Sequence, residues 1–224
     1  MGVGIPRGVK GEAVSRGRFA GAVGHGSRPR GRDETIAPEG RRTQILQAAA
    51  DVICERGFGE TRVAQVADRA GVSGATVIYH FATLDRLLVE ALRHCEQLFY
   101  NSAERIVAEG TTPKDRLARL VRWVFAAEHN PQLWALWLET WSQAPRHPQV
   151  AEARAQQDTR WRSMIAGIVA ELPFDDASGA WRFAVSFGAL LDGLAIQVAL
   201  HDNDVSPGAA SDIAMSYANT ALGW

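Results

Sequence analysis

The chain has 224 residues, of which 46% are apolar and 22% charged, with a formal net charge of −1. This composition is that of an ordinary globular protein, and the length suits one large domain or two modest ones. Two cysteines, Cys54 and Cys95, are too few for a four-cysteine metal site or a disulfide framework, so we expect no metal and no cofactor. The longest apolar stretch, Phe183–Leu200, contains Asp192 near its middle, which favours a buried helix over a membrane span and hence a cytoplasmic protein.

Charge is distributed unevenly along the chain. Residues 1–95 hold 14 Lys and Arg against 10 Asp and Glu, whereas residues 96–224 hold 10 against 15. A basic N-terminal part and an acidic C-terminal part suit a protein whose first part faces a polyanion.

The first 38 residues contain nine of the 21 glycines and seven Lys or Arg, with few apolar residues. Such a segment cannot bury enough apolar surface to offset the entropy cost of ordering it. We therefore predict a disordered, basic, glycine-rich arm over residues 1–38. Two alternatives remain open: an arm that contacts DNA, and residues added by an upstream start codon.

Beyond Pro38, apolar residues recur at helical spacing and no stretch alternates for long, which predicts an all-α fold of about nine helices. The first helix ends at Gly57, and Thr61 is expected to cap a short second helix. A turn at Gly71 precedes a third helix, which Ser73 caps and which runs to about Phe81. A long fourth helix begins after Thr83. Prolines and a glycine separate the remaining helices, predicted at about 114–129, 131–144, 148–172, 177–201 and 207–221.

Two short helices joined by a glycine turn and braced by a first helix form a helix-turn-helix. The second helix of the pair begins with small side chains, so it can enter a DNA major groove about 12 Å wide. Aromatic and imidazole groups follow one turn later, and an arginine begins the preceding helix, where each can bond a phosphate or a base edge. The predicted DNA-binding residues are Arg62, Ser73, Gly74, Ala75, Thr76, Tyr79 and His80.

The segment from Arg42 to Leu88, with its Gly71-Val72-Ser73 turn and His80-Phe81 pair, resembles the DNA-binding domain of the TetR family of repressors. The resemblance implies a helix-turn-helix domain over residues 39–85 and a helical ligand-binding and dimerisation domain over residues 86–224. It further implies a sequence-specific transcriptional regulator that binds double-stranded DNA, is modulated by an unknown small-molecule effector, and is not an enzyme.

Two positions depart from the family pattern. The family commonly has a tyrosine where Ile78 stands and a lysine where Leu84 stands, and both help to hold phosphates. Losing such contacts should weaken affinity for DNA and flatten its salt dependence. A helical interaction protein with degenerate DNA binding is therefore the alternative function. An enzyme has less support, because the only adjacent nucleophile and base, Cys95 and His94, diverge by about 100° on a helix.

Five tryptophans lie on three consecutive predicted helices, with an acidic residue among them. An aromatic core is one interpretation. The other is an effector pocket, in which aromatic faces and a carboxylate bind a cationic or amphipathic molecule. The predicted pocket residues are Trp123, Trp134, Trp137, Glu139, Trp141 and Trp161. The segments Leu136–Trp141 and Leu191–Ala195 resemble a C-terminal subclass of the family that includes repressors of choline-to-betaine genes, which implies a ligand-responsive dimer.

The predicted helix 177–201 is apolar nearly all round, so one side should face its own core and the other a partner. Together with the last helix it would form a four-helix dimer interface. The predicted interface residues are Ser186, Ala189, Gly193, Gln197 and Tyr217. A homodimer would read a palindromic operator with half-sites roughly 34 Å apart. We hypothesise that an effector changes this separation by shifting the long fourth helix. An additional core helix is the alternative.

Overall fold

The computed structural model describes residues 38–126 and 131–224, and the predicted arm over residues 1–38 lies almost entirely outside them. The all-α prediction is confirmed: the described residues form nine helices and no strand. These are α1 Pro38–Arg56, α2 Val63–Ala70, α3 Gly74–Phe81, α4 Leu84–Ala108, α5 Pro113–Phe125, α6 Pro131–Gln143, α7 Pro148–Val169, α8 Gly179–Ala199 and α9 Pro207–Leu222.

The first three helices form a compact trihelical unit around a small apolar core. Gly71 ends α2 in the left-handed conformation, with φ of 64°. The side chain of Gln44 on α1 donates to the carbonyl of Ala70 at 2.8 Å and so attaches this turn to α1. The core of the unit comes from all three helices, from Ile45, Ala49, Val52, Ile53, Val66, Ala67, Ala70, Val77 and Phe81.

The start of α2 differs from the sequence prediction. The residue that caps α2 is Arg62 rather than Thr61, because the Thr61 hydroxyl instead donates to the carbonyl of Gly57 at 2.8 Å and Thr61 is fully buried. The side chain of Gln65 accepts the N–H of Arg62 at 2.9 Å. Thr61 therefore closes the turn that follows α1, and α2 begins one residue later.

The 25-residue α4 joins this trihelical unit to the remaining helices. Its buried residues run from Leu87 to Ala103, and it packs against α1, α5 and α7. Arg42 of α1 pairs with Glu90 of α4, and its guanidinium lies 5.0 Å from the ring centre of Phe81, the last residue of α3. This contact fixes the end of α3 against both α1 and α4.

The C-terminal helices pack around α8, which contacts α6, α7 and α9. Among the described residues, α8 is the one helix long and apolar enough to cross a membrane, but 39% of its apolar window is buried against the rest of the chain. Core helices pass the same test, so length and composition here are weak evidence for a membrane span.

Candidate nucleic-acid interface and effector site

The exposed surface of α3 begins with small side chains. Ser73 caps the helix by accepting the N–H of Thr76 at 3.0 Å, and its hydroxyl also bonds the Thr76 hydroxyl at 2.8 Å. Ala75 is exposed, whereas Gly74 and Thr76 are half-buried. The N-terminal end of α3 is therefore slim and open to solvent, as entry into a groove requires.

The aromatic end of α3 presents one strongly exposed ring. Tyr79 is 86% exposed, and His80 beside it is half-buried, with the two ring centres 5.4 Å apart in an edge-on arrangement. Val77 and Phe81 face the core instead. The Tyr79 ring and hydroxyl are therefore open to contact with another molecule.

Arg62 lies at the start of α2 and is exposed. Its guanidinium donates to the carbonyls of Gly59 at 2.6 Å and Thr61 at 3.0 Å. These bonds leave other guanidinium N–H groups for a phosphate and fix the direction in which the side chain points.

The two departures from the family pattern have different surroundings. Ile78 is exposed on α3, where it can touch DNA but cannot bond a phosphate. Leu84 is the first residue of α4 and is partly buried against the core. An apolar packing contact therefore occupies the position at which a lysine would reach for the backbone of DNA.

Four of the five predicted pocket tryptophans belong to one aromatic cluster centred on Phe99 of α4. The ring centre of Phe99 lies 4.8 Å from those of Trp123 and Trp137 and 5.7 Å from that of Trp161. Trp134 joins through Trp137, at 4.7 Å between ring centres. We call this set, Phe99, Trp123, Trp134, Trp137 and Trp161, the Phe99 cluster.

The other two predicted pocket residues lie apart from the Phe99 cluster. Trp141 stacks under the guanidinium of Arg154, which lies 4.8 Å from its ring centre. Glu139 accepts the backbone N–H of Phe58 at 2.7 Å, in the turn after α1. The structure thus brings four of the predicted tryptophans together, but it directs the predicted carboxylate, Glu139, towards the turn after α1.

A different carboxylate, Asp192, is partly buried on α8, the helix that faces Trp161. Burial, aided by the nearby carboxylate of Asp158, raises the pKa of Asp192 to about 6. One turn earlier on α8, Gly188 faces Trp161, and a Cβ there would lie only 3.4 Å from the indole. Sequence reasoning noted the segment around Asp192 only as a resemblance, because nothing local indicates which face of α8 meets the aromatic rings.

Trp161 carries an unused donor. Within the described part of the chain, its indole N–H is buried and has no hydrogen-bond partner. A buried donor without a partner costs about 1–3 kcal/mol, so such groups usually have a functional or structural explanation.

The predicted dimer residues share one exposed surface of α8 and α9. Ser186, Ala189 and Gln197 are exposed, and a Cβ on Gly193 would meet nothing within 4 Å. Tyr217 of α9 is also exposed and stacks on Phe183 and Phe187. Large apolar side chains are exposed on the same two helices or directly after α8: Trp181, Val185, Leu200, Ile213 and Tyr217.

Comparison with known proteins decides the family. The family model for bacterial regulatory proteins of the tetR family matches residues 45–91, and that for the C-terminal part of BetI-type transcriptional repressors matches residues 113–223. The HTH-type transcriptional regulator BetI of Rhizobium meliloti (strain 1021) is 30% identical over 184 residues, which is 81% of this chain and 89% of the relative. The chain belongs to the TetR family.

Solved structures of other regulators share the fold of this chain. A putative transcriptional regulator from Pseudomonas aeruginosa PAO1 has a TM-score of 0.73 at 22% identity, over 84% of this chain and 93% of its own. A putative transcriptional regulator from Saccharomonospora viridis, in complex with choline, has a TM-score of 0.70 at 26% identity, over 79% of this chain and 94% of its own. The resemblance found in the sequence is confirmed, and this TetR-family chain is a DNA-binding transcriptional regulator with a repressor-type C-terminal part.

The relatives are regulators, a class of proteins that are not enzymes. The thiols offer little nucleophilicity, since burial raises the pKa of both Cys54 and Cys95 to about 12.

Proposed function

We propose that this chain is a cytoplasmic, homodimeric repressor that binds a palindromic operator and is controlled by a small organic cation. The observation that carries the DNA-binding part is the exposed face of α3. It combines a slim, capped N-terminus with a tyrosine ring that is 86% exposed.

In this proposal, α3 enters the major groove with its N-terminal end leading. Gly74 and Ala75 allow close approach, while Ser73 and Thr76 bring hydroxyls and the free N–H groups of the helix start to the DNA. Tyr79 and His80 contact phosphate or a base edge. Arg62, at the start of α2, binds the phosphate backbone.

The test is fluorescence anisotropy with duplex DNA from upstream of the gene that encodes this chain, in low salt. The wild-type protein should bind a specific segment, and Tyr79→Ala should lose about tenfold or more in affinity, as expected for a lost bond to a charged phosphate. Because the ring is exposed, the melting temperature and oligomeric state should not change. Absence of specific binding by the wild type would favour the alternative, a helical interaction protein.

The dimer would form through the exposed surface of α8 and α9, where small residues let two helices approach closely. The two α3 helices would then be related by a twofold axis and meet half-sites roughly 34 Å apart. Effector binding would act by shifting α4, which joins both parts of the chain, and so would alter that separation.

The effector site is proposed at the Phe99 cluster. The structural neighbour from Saccharomonospora viridis is described as a complex with choline, a quaternary ammonium with a hydroxyl group. Aromatic faces attract such cations, a carboxylate neutralises them, and the Trp161 N–H would gain an acceptor in the hydroxyl. In this chain we assign that role to Asp192, which lies one turn after Gly188, the residue of α8 that faces Trp161, whereas Glu139 and Trp141 lie apart from the cluster.

The test is titration with choline, followed by intrinsic tryptophan fluorescence and by calorimetry. Choline should bind, and its uncharged carbon analogue 3,3-dimethylbutan-1-ol should bind at least tenfold more weakly, because it lacks the cation. Asp192→Asn should reduce choline affinity by a similar factor. Equal affinity for the charged and uncharged compounds would rule out a cation site.

A further inference from the structure

Helix α6 carries different groups on opposite faces. Trp134 and Trp137 belong to the Phe99 cluster, whereas Glu139 contacts the turn after α1. Side chains two residues apart on an α-helix differ in direction by about 200°, so Trp137 and Glu139 point to nearly opposite sides of α6. A displacement of α6 by a change on its aromatic face must therefore also move Glu139.

The contact made by Glu139 is a specific one. Its Oε1 accepts the N–H of Phe58 at 2.7 Å, and the side chain of Gln143 donates to the same oxygen at 3.1 Å. Gly57 also lies close to this carboxylate, because a Cβ added to it would be 3.5 Å from Oε1 of Glu139. The φ of Gly57 is 83°, in the left-handed region. A charged acceptor makes this bond stronger than one between neutral groups.

The turn that Glu139 contacts is tied directly to the DNA-binding residues. The Thr61 hydroxyl donates to the carbonyl of Gly57, and the Arg62 guanidinium donates to the carbonyls of Gly59 and Thr61. Arg62 then caps α2. We call Gly57–Arg62 the α1–α2 turn. Movement of this turn would move both the start of α2 and the guanidinium of Arg62.

The same junction has a second contact and free space. The ring of Phe58 lies 5.6 Å from that of His147, in the segment between α6 and α7. A cavity of about 260 Å³ is lined by Phe58, Asp85, Val89, His147, Pro148, Gln149 and Val150. Close-packed interiors resist small displacements, but a cavity beside the turn leaves room for it to move.

We propose that Glu139 is a positioning residue that couples the effector site to the operator-binding surface, by holding the α1–α2 turn against α6. This inference rests on the proposed effector role of the Phe99 cluster. An effector that inserts among the rings of α6 displaces this helix, and the bond from Phe58 to Glu139 lengthens. The start of α2 and Arg62 then shift relative to the α3 helix of the other subunit of the dimer.

The experiment compares Glu139→Ala, Glu139→Gln and the control Glu152→Ala, an exposed carboxylate on α7. Three quantities are measured for the full-length protein: choline affinity by calorimetry, operator affinity by anisotropy with and without choline, and amide hydrogen exchange of residues 57–62. The last quantity and the operator affinity without choline do not depend on any effector.

We expect Glu139→Ala to raise hydrogen exchange in the α1–α2 turn and to change operator affinity without choline at least threefold, in the direction that choline changes it for the wild type. Choline affinity of the free protein should rise, because binding no longer has to lengthen that bond, and the ratio of operator affinities with and without choline should fall towards one. Glu139→Gln keeps a neutral, weaker oxygen acceptor, so its changes should be smaller than those of Glu139→Ala. Glu152→Ala should behave like the wild type.

The outcomes separate this inference from the proposed function. If Glu139→Ala keeps the wild-type exchange, operator affinity and choline response, the coupling role of Glu139 is overturned while the effector site stands. If the wild type does not respond to choline, the proposed effector fails, and the exchange and operator measurements still decide whether Glu139 controls the turn.

Discussion

At the scale of single residues, Ala82 has a backbone conformation that an alanine rarely adopts. Its φ of 64° and ψ of −49° place it in a γ-turn of the strained form, with the Thr83 N–H donating to the Phe81 carbonyl at 2.8 Å. Ala82→Gly should raise the free energy of unfolding by about 0.5–1 kcal/mol, since relief of Cβ strain exceeds the added entropy of the unfolded chain. Denaturant unfolding followed by circular dichroism measures it.

A matched substitution separates strain from a general effect of glycine. Ala155 is exposed within α7, where a glycine should lower the free energy of unfolding by about 1 kcal/mol. Opposite signs for Ala82→Gly and Ala155→Gly are expected. A loss of stability in both variants would mean that the turn after α3 relaxes without strain.

Asp192 provides a prediction about pH. Burial raises its pKa in the folded protein to about 6, above the value of 3.8 for a free side chain. Because the pKa is higher in the folded protein, protonation of Asp192 favours folding. This contribution to the free energy of unfolding is complete below about pH 4 and is lost as the pH rises through about 6. Asp192→Asn should therefore stabilise the protein by about 3 kcal/mol at pH 7.5 and have little effect at pH 4.

The measurement is the melting temperature of both proteins between pH 4 and 8. Asp204→Asn serves as the control because Asp204 is exposed in the segment between α8 and α9. A difference between Asp192→Asn and wild type that stays constant with pH would show that the change acts through packing rather than through the charge of Asp192.

Residues differ in how far the sequence can predict their roles. The cap at Ser73 and the start of α3 were predicted correctly, because caps and helical spacing act over a few residues. The partner of Glu139 could not be predicted, since Phe58 is 81 residues away and only the packing of α6 on α1 brings the two together. Asp192 was not among the predicted pocket residues, because nothing local indicates which face of α8 meets the aromatic rings.

At the scale of helices, the start of α4 carries a prediction about affinity for DNA. Leu84 is the first residue of α4 and only partly buried, so a lysine there can keep its methylene groups against the core and extend its ammonium into solvent. Leu84→Lys should strengthen operator binding at low salt. The slope of log affinity against log salt concentration should steepen by about 0.9 for each subunit bound.

Anisotropy titrations at several salt concentrations measure the slope. Leu84→Gln has a polar side chain without the charge, so its slope should remain that of the wild type. If Leu84→Lys leaves the slope unchanged, the start of α4 does not approach the phosphate backbone, and the docking of α3 proposed above would need revision.

Helix positions were predicted closely from the sequence, because prolines, glycines and caps limit helices locally. Eight of the helices in the described residues, α2 to α9, begin within two residues of their predicted starts, with Pro131, Pro148 and Pro207 at first positions. The start of α2 was predicted one residue early because Thr61 has a capping side chain that is used elsewhere. Local rules identify residues able to cap a helix, but the tertiary structure determines which bond each one makes.

At the scale of the whole molecule, the domain division at residues 85 and 86 stays a prediction. The described residues form one compact unit, and α4 packs against α1 on one side and against α5 and α7 on the other. A helix shared by two functional parts gives a mechanical link between them, which suits a regulator in which one site must respond to another.

The last prediction concerns assembly. Ala189 is exposed on α8, between Ser186 and Gly193 on the same face, and the exposed apolar side chains of Val185 and Tyr217 lie on the same two helices. In a twofold interface each face meets its own copy, so a change at Ala189 is introduced twice. Ala189→Arg should place two long cations against each other where only small side chains fit, and the protein should become monomeric in sedimentation experiments.

The consequence for DNA binding follows from the number of half-sites. Linked recognition helices gain about 10²–10⁴ in affinity over single ones, so monomeric Ala189→Arg should lose at least about 100-fold on a palindromic operator and almost nothing on a single half-site. The control is Ala155→Arg, which adds the same charge at an exposed position of α7, away from the surface of α8 and α9, and this variant should remain dimeric. A dimeric Ala189→Arg would mean that α8 and α9 do not form the interface, and the exposed apolar residues of these helices would then require another partner.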